Sequence, residues 1–474
     1  QRTANRGSIS TGYDIDNSCK FEPDNSESLT KAAATGGDRK KATLSLWCKR
    51  TELTGSQASI LFLTGVNGNK YTTLAWGTND EINFHYYNSG SYPYNFLTNK
   101  RFRDTSAWYH IVVAIDTTQG TAANRVKFYV NGVQETSFST EVYPSQNIDT
   151  PFNNDSATYP MEIGNDSIFD MGGDPLAGYL ADYYLIDGSQ LAPTEFGEFD
   201  EDSGIWIPKA YTGSFGSNGF YLDFADAADL GDDESGNGND FTEQNISAAD
   251  QATDTPTNNF CIGNALVNYQ GVAGGGQTLS EGATKFTNPA SQNWQSITGT
   301  FALTKGKWYW EFKTNGAGSF TGIADVEDAF IPQNVNGYYV GYQDNQATKS
   351  LGMYSANGVI YNDTGSATGA SYNYTNTVGI ALDMDNRKIY FAVDNTYVNS
   401  GNPASGSNGA AWATTWSDTV YPAFSGGSGN FNVSVNFGGY TFSSISSAES
   451  DADGYGAFEY APPTGYYALC TKNL

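Results

Sequence analysis

The sequence predicts an all-β protein in which two antiparallel β-sandwich domains are joined by an irregular acidic connector. Aromatic residues make up 14% of the 474 residues and charged residues only 16%, and there are 53 glycines. This composition disfavours helices and suits strands joined by tight turns. Short runs rich in aromatic and β-branched residues recur between clusters of Gly, Asn, Asp and Ser, which is the pattern of strands. Helical periodicity is not convincing anywhere in the sequence.

The first part of the chain divides into an arm and a sandwich. Residues 1–14 are expected to form an extended arm, in which Arg2 and Arg6 are suited to an acidic surface on a neighbouring subunit. The alternative is that the arm folds back on its own domain as an edge strand. Residues 15–196 are predicted to form the first sandwich, with a hairpin at the Asn-Gly of VKFYVNGVQETSF, because this dipeptide favours two-residue hairpin turns.

The rest of the chain divides into three segments. Residues 197–290 are dense in Asp, Gly and Asn, and we expect an irregular connector whose aromatic residues need burial. Residues 291–445 return to the strand pattern and predict the second sandwich. Residues 446–474, with Pro462-Pro463 and many aromatics, predict an extended strap that packs on a neighbouring domain.

The charge is unevenly placed. Residues 1–127 carry a net charge of +4, residues 128–284 a net charge of −25 and residues 285–474 a net charge of −6. An acidic middle third repels phosphate backbones, so nucleic acid is not an expected partner. No apolar run approaches the ~18 residues that a membrane-spanning helix needs, so no membrane span is expected.

Two stretches of the sequence resemble families of concanavalin-like sandwiches. The second domain resembles a SPRY (B30.2-like) domain in GKWYWEFK, VGIALDMDNRKIYFAVDN and YPAF. The first resembles the laminin-G/concanavalin-like jelly-roll family in TLSLWCKR, WYHIVVAID, VKFYVNG, IGN and GYLADYYLIDGSQLAPTEF. The resemblances imply two concanavalin-like antiparallel β-sandwiches of jelly-roll type.

The connector and the strap resemble stretches of virion proteins of tailed bacteriophages, particularly marine ones. The stretches are IPKAYTGSFGSNGFYLDF, DESGNGNDF, DTPTNNF and YAPPTGYYALCTKNL. The resemblance implies a fibre or appendage protein on the virion surface, with other virion proteins as partners and lectin-like domains that bind host surface polysaccharide. A capsid decoration protein with a purely structural role is the alternative. A homo-oligomer is expected, and the resemblance favours a trimer.

Two groups of residues are candidate binding sites. The segment HYYNSGSYPYNF, which we expect to be a loop, carries four tyrosines, Tyr86, Tyr87, Tyr92 and Tyr94. They suit either stacking on sugars or a subunit interface, where tyrosine is enriched. The acidic run DLGDDESGNGND carries Asp229, Asp232, Asp233 and Asp240. It is either a solvated loop or a Ca²⁺ site, since Ca²⁺ takes several carboxylate oxygens and laminin-G domains often hold this ion.

No catalytic residue is predicted. A β-sandwich glucanase would need paired carboxylates, and in the nearest string, Glu198–Ser203, Ser203 stands where the second Glu of the motif is required. An extracellular glycoside hydrolase is therefore the least favoured function. His110 is interpreted as structural, His85 has no acid or nucleophile patterned beside it, and Asp383 and Asp385 are interpreted as strand and turn residues.

Overall fold

The computed structural model describes residues 12–32, 36–53, 58–154, 156, 158–169, 175–268, 277–288, 294–325, 338–340, 342–343, 349–362, 376–427, 432–440, 445 and 447–474. Within these ranges the regular structure consists of β-strands and six short 3₁₀ turns, which confirms the all-β prediction. These ranges contain no helix long and apolar enough to cross a membrane. The chain forms two compact units, one ending at Asn258 and the other beginning at Asn259.

The first unit contains eighteen strands in the residues described. Its 3₁₀ turns are Pro23–Asn25, Ala122–Asn124, Pro193–Glu195 and Ala248–Asp250. The strands are β1 (Ser18–Phe21), β2 (Ser28–Lys31), β3 (Lys41–Arg50), β4 (Ser59–Asn67), β5 (Lys70–Trp76), β6 (Ile82–Asn88), β7 (Ser91–Thr98), β8 (Trp108–Asp116), β9 (Val126–Val130), β10 (Val133–Gln134), β11 (Phe138–Val142), β12 (Met161–Ile163), β13 (Gly178–Asp187), β14 (Gly197–Phe199), β15 (Trp206–Pro208), β16 (Phe220–Leu222), β17 (Thr242–Gln244) and β18 (Gln251–Ala252).

Two antiparallel sheets of the first unit enclose one hydrophobic core. The back sheet has the order β10-β9-β8-β3-β13-β1-β18, with β16 beside β13, and the front sheet has the order β11-β7-β6-β5-β4-β12-β2-β17. Alternation along each strand decides which side chains enter the core. In β3, for example, Leu44, Leu46 and Cys48 are buried core residues. The unit is therefore a two-layer β-sandwich.

Residues 197–258 of the predicted connector belong to the first unit. Strands β16 and β18 join the back sheet, and β17 joins the front sheet beside β2. Phe220, Leu222 and Phe241 belong to the core of the first unit. The first unit therefore ends at residue 258, whereas the predicted sandwich ends at residue 196. The difference arises because strands from the predicted connector complete both sheets.

The second unit is also built from β-strands. They are β19 (Gly263–Asn268), β20 (Thr278–Ser280), β21 (Lys285–Thr287), β22 (Gln295–Gly299), β23 (Lys307–Thr314), β24 (Ser319–Asp325), β25 (Tyr338–Tyr339), β26 (Tyr342–Gln343), β27 (Ser350–Tyr354), β28 (Ile360–Tyr361), β29 (Val378–Asp383), β30 (Lys388–Val393), β31 (Thr396–Tyr397), β32 (Ala410–Ala411), β33 (Val420–Gly426), β34 (Asn432–Asn436) and β35 (Tyr467–Ala468). Its 3₁₀ turns are Val398–Ser400 and Thr471–Asn473. One large sheet has the order β19-β22-β33-β24-β27-β28, and the other has the order β20-β21-β34-β23-β29-β30-β31, with β32 beside β30 and β35 beside β23. Strands β25 and β26 form a separate short pair.

The C-terminal strap packs on the second unit itself. Its strand β35 pairs in parallel with β23, and Phe458 lies edge-on to Tyr309 at a centroid distance of 5.1 Å. The carboxylate of Glu311 accepts hydrogen bonds from the backbone N–H groups of Glu459 and Tyr460, both at 2.9 Å. Buried acceptors of this kind need such partners, and here they anchor the strap. Residues 1–11 of the N-terminal arm, including Arg2 and Arg6, lie outside the described residues, whereas the hydroxyl of Tyr13 near the end of the arm donates a hydrogen bond to Asp182 at 2.9 Å.

Candidate functional site

An aromatic surface lies on the outer side of the front sheet. Strand β6 alternates, so that Phe84 and Tyr86 enter the core while His85 and Tyr87 point the other way and stay half-buried. Strand β5 places Tyr71 directly opposite Tyr87 in the antiparallel register. We call the four outward residues Tyr71, His85, Tyr87 and Tyr92 the aromatic face.

The rings of the aromatic face are in mutual contact. The Tyr71 and Tyr87 rings stack with their centroids 5.1 Å apart. Tyr92, just after the β6–β7 turn, lies edge-on to Tyr87 at 5.5 Å and to His85 at 5.3 Å. Such offset and edge-to-face arrangements fix ring orientations. These ring contacts hold the aromatic face together, and Tyr92, which is 47% exposed, makes it accessible to solvent.

His85 and Tyr71 of the aromatic face are uncharged at neutral pH. Burial lowers the pKa of His85 to about 4, and its Nδ1 lies 3.2 Å from the side-chain oxygen of Asn83. The pKa of Tyr71 is raised to about 12, chiefly by burial and then by Tyr92 and Tyr87. An uncharged surface of rings suits an uncharged ligand with an apolar side better than an ion.

The structure corrects the expectation for two of the four predicted tyrosines. Tyr86 and Tyr94 are buried members of the core, and the Tyr94 hydroxyl lies 2.6 Å from the Thr72 hydroxyl oxygen inside the sandwich. The segment that carries the four is a β-hairpin rather than a loop, and alternate residues of β6 point to opposite sides of the sheet. A register shift between Tyr86 and Asn88 interrupts the alternation near the turn, where Tyr92 contacts Tyr87. Only Tyr87 and Tyr92 remain at the surface, where Tyr71 and His85 join them.

The acidic run, interpreted as either a solvated loop or a Ca²⁺ site, does not group its carboxylates as metal ligands within the residues that the structure describes. Asp229, Asp232, Asp233 and Asp240 all lie in described ranges, and nowhere in those ranges do three or more His, Cys, Asp or Glu side chains group to hold a metal ion. Asp233 is buried and accepts hydrogen bonds from the N–H groups of Tyr221, Ser235 and Asn239. The carboxylates of Asp229 and Asp240 accept bonds from Gly231 and Asp233. These oxygens therefore fix turns of the segment itself.

His110 occupies a structural position in the first unit. Its ring is stacked between Trp47 and Trp206, and burial lowers its pKa to about 3. Trp206 Nε1–H donates to Nδ1 at 2.9 Å, and Nε2 lies 2.9 Å from the Ser45 hydroxyl oxygen. Both ring nitrogens are thus engaged by neighbours within the sandwich.

The other acidic strings are parts of turns. Asp200 accepts hydrogen bonds from the N–H and hydroxyl of Ser203. This carboxylate of the Glu198–Ser203 string, which lacks the second Glu of the glucanase motif, therefore closes a turn. Asp383 accepts two bonds from Asn386 and lies 3.2 Å from the Lys307 ammonium. Asp385 accepts a bond from Gly306 N–H at 3.0 Å.

A buried carboxylate in strand β13 was not found from the sequence. Asp182 lies at a β-bulge where the β3–β13 register shifts, and its φ of 43° is in the left-handed region. The hydroxyls of Tyr13 and Tyr221 donate to it at 2.9 and 2.8 Å. Burial raises its pKa to about 6. The signal in the sequence is the single Asp within the apolar run GYLADYYLI.

The fold defines a class: a β-sandwich protein whose first sandwich is similar to concanavalin-like lectin domains. Residues 24–193 match the family model of the concanavalin A-like lectin/glucanases superfamily (Laminin_G_3). This match covers the first sandwich and confirms the concanavalin-like resemblance of that domain. No curated protein matches the chain.

Solved structures with similar folds include SPRY and carbohydrate-binding domains. The SPRY domain of human HERC1 is 17% identical over 32% of this chain and 87% of its own, with a TM-score of 0.24. A SAP-like pentraxin from Limulus polyphemus is 18% identical over 38% of this chain and 80% of its own, with a TM-score of 0.28. A putative carbohydrate-binding protein from Bacteroides ovatus is 15% identical over 49% of this chain and 58% of its own, with a TM-score of 0.32. Neither the identities nor the TM-scores transfer a function to this chain.

Proposed function

We propose that the protein works by binding rather than by catalysis, as a lectin-like adhesion protein on the surface of a bacteriophage virion. The aromatic face is the proposed binding site, and glycans of the host cell surface are the proposed ligands. The observation that carries this proposal is the cluster of partly exposed, uncharged rings at Tyr71, His85, Tyr87 and Tyr92 on a lectin-type sandwich.

The chemistry of a sugar residue fits this surface. The C–H groups of a pyranose ring form an apolar side that packs on aromatic rings, while its hydroxyls both donate and accept hydrogen bonds. The tyrosine hydroxyls and the side-chain amides of Asn83 and Asn95 supply both kinds of partner, since the two asparagines share the outer side of strands β6 and β7 with His85. A neutral face selects against strongly charged ligands, because a charge there would lose water without gaining a counter-charge.

The virion context rests on the connector and strap sequences that resemble those of tailed-phage proteins. Other virion proteins and further copies of this chain are the proposed protein partners. A second function remains open for the same face, because tyrosine is enriched at subunit interfaces. In that case the protein is a capsid decoration subunit and the face is an assembly contact.

One experiment separates the two functions. The full chain and its Tyr87→Ala and Tyr92→Ala variants are run in affinity electrophoresis with dextran, laminarin, mannan and bacterial O-polysaccharide, and their molar masses are measured by light scattering. Phe199→Ala is the matched control, because Phe199 is 50% exposed in the β14–β15 ribbon, outside the front sheet. We expect retardation by at least one neutral polysaccharide and a loss of about tenfold or more in affinity in the two tyrosine variants, since an aromatic anchor is worth over ~1 kcal/mol.

The outcomes assign the face. Polysaccharide binding lost in both tyrosine variants but kept in the control, with unchanged molar mass, supports glycan recognition. A fall in molar mass in the tyrosine variants with no polysaccharide binding by any form assigns the face to a subunit interface. Reducing sugar released from these polysaccharides by the full chain would refute the proposal that the protein works without catalysis.

A further inference from the structure

Three ionisable side chains meet inside the first unit. Lys20 lies on β1, Glu27 comes just before β2, and Asp250 ends the 3₁₀ turn that leads into β18. The Lys20 Nζ is 2.8 Å from Asp250 Oδ1 and 3.8 Å from Glu27 Oε1. The Lys20 and Glu27 side chains are each only 1% exposed. The antiparallel pairing of β1 with β18 brings together residues that are far apart in the chain.

The second oxygen of Asp250 is held by two hydrogen-bond donors. The Ser247 N–H donates to Oδ2 at 2.8 Å, and the Ser247 hydroxyl donates to the same oxygen at 3.2 Å. The two oxygens of the carboxyl group are therefore in different surroundings: Oδ1 faces the amine, and Oδ2 faces the donors. Preorganised hydrogen-bond donors that point at an oxygen atom stabilise the negative charge that develops on it during an addition reaction.

Glu27 is the third member of this group, with Oε1 3.8 Å from the Lys20 Nζ. Its Oε2 accepts a hydrogen bond from the Glu22 N–H at 2.7 Å, and its Oε1 accepts one from the Asn25 side-chain amide at 3.0 Å. Burial raises the pKa of Glu27 to about 7, although the nearby Lys20 ammonium opposes the rise. A carboxyl group that titrates near neutral pH serves as both acid and base.

We infer that Lys20 and Asp250 form an intramolecular amide bond, with Glu27 as the proton-transfer group and Ser247 as the oxyanion binder. The amine and the carboxyl group of this proposed acyl-transfer site both belong to the chain. The inference concerns maturation of the first unit and does not depend on the proposed glycan binding.

The reaction balances without any further reactant. The Lys20 ammonium transfers a proton to Asp250 Oδ1, which leaves a neutral amine beside a carboxylic acid. The Nζ lone pair adds to Asp250 Cγ, and the negative charge passes to Oδ2, where the two Ser247 donors stabilise it. Glu27 takes a second proton from Nζ and delivers it to Oδ1, which departs as water when the Cγ–Oδ1 bond breaks. The products are one amide and one water, and nothing is oxidised or reduced.

The intact mass of the denatured full chain tests this inference. We expect the wild-type chain, after incubation at neutral pH, to be lighter than its sequence mass by one water, and peptide mapping to find Lys20 joined to Asp250. Lys20→Arg keeps the positive charge but cannot form this amide, and Glu27→Gln keeps a side chain of the same shape but cannot transfer the proton. Both variants should have the full sequence mass.

Lys49→Arg is the matched control. Lys49 forms the other fully buried lysine–aspartate pair described in this unit, with Asp254 at 2.6 Å, so its variant should still lose one water. Melting curves show which variants fold. If Glu27→Gln does not fold, the mass of Lys20→Arg decides whether the amide forms. A wild-type chain with the full sequence mass overturns the inference, as does a water loss that persists in Lys20→Arg or maps to Lys49.

Discussion

At the scale of single residues, burial decides what chemically identical side chains do. Tyr86 and Tyr87 are adjacent in the sequence, yet one is a core residue and the other belongs to the aromatic face. His85 and His110 both have a lowered pKa because of burial. His110, however, is engaged at both nitrogens by Trp206 and Ser45, while His85 supports exposed rings.

We predict that His110 makes stability depend on pH. Its pKa in the folded state, about 3, lies below its ordinary value of 6.5, so the unfolded chain takes up a proton first as the pH falls. The stabilisation is complete above the unfolded pKa and is lost as the pH falls from about 6.5 towards 3. Between pH 7 and pH 5 the loss amounts to about 2 kcal/mol.

Denaturant unfolding of the wild type and of His110→Gln at the two pH values measures this loss. The wild type should lose more stability on acidification than the variant by the stated amount, because glutamine does not titrate. Ser45→Ala removes one hydrogen bond but leaves the titration in place, so it should retain the pH dependence of the wild type. Equal pH dependence in His110→Gln and wild type would contradict the assignment.

At the scale of elements, the long strand β13 organises the back sheet. It pairs with β3 along its whole length, with β1 near its start and with β16 near its end. Between these partners a bulge turns Asp182 towards Tyr13 and Tyr221. Bulges redirect side chains in this way and strengthen the local twist. Here the bulge places a buried carboxyl group among tyrosine hydroxyls.

We predict that Asp182→Asn changes how stability varies with pH. The folded-state pKa of about 6 lies above the ordinary 3.8 because of burial, so the folded state holds the proton more tightly. Wild-type stability from this group therefore falls as the pH rises from about 4 to 6. Relative to the wild type, the variant should gain about 2 kcal/mol over that range.

Urea unfolding at pH 4 and at pH 7 checks this expectation. Asp226→Asn, the same substitution at an exposed residue in the segment after β16, is the control and should show the wild-type change in stability between the two pH values. If Asp182→Asn also follows the wild type at both pH values, the carboxyl group ionises normally in the folded protein and the prediction fails.

At the scale of the whole molecule, the division into two compact units sets which fragments should fold. The first unit extends to Asn258, because β16, β17 and β18 complete its two sheets. Buried lysine–aspartate pairs hold the same segment: Asp250 pairs with Lys20 and Asp254 with Lys49. The segment between residues 197 and 258 is therefore part of a sandwich.

We predict that a fragment of residues 12–258 melts in one cooperative transition, whereas a fragment of residues 12–196 does not. The shorter fragment leaves the buried lysines without their carboxylates and exposes core positions that Phe220, Leu222 and Phe241 cover. An unpaired buried charge costs about 3–5 kcal/mol, a large share of a typical domain's stability. Calorimetry and near-ultraviolet circular dichroism compare the two, and a shorter fragment that melts as cooperatively as the longer one would contradict the prediction.

The sequence alone determined the all-β class, the concanavalin-like character of the first sandwich and the presence of tyrosines around a candidate site. The all-β class follows from composition and strand alternation, which are local properties of residue order, and the concanavalin-like character follows from the resemblance of its motifs to the laminin-G family. Tertiary structure alone decided that Tyr71 pairs with Tyr87, that Tyr86 and Tyr94 are buried, and that the acidic aspartates do not converge. It also brought Lys20, Glu27 and Asp250 together. Pairing register and long-range packing depend on which strands meet, and that information is not contained in any short stretch of sequence.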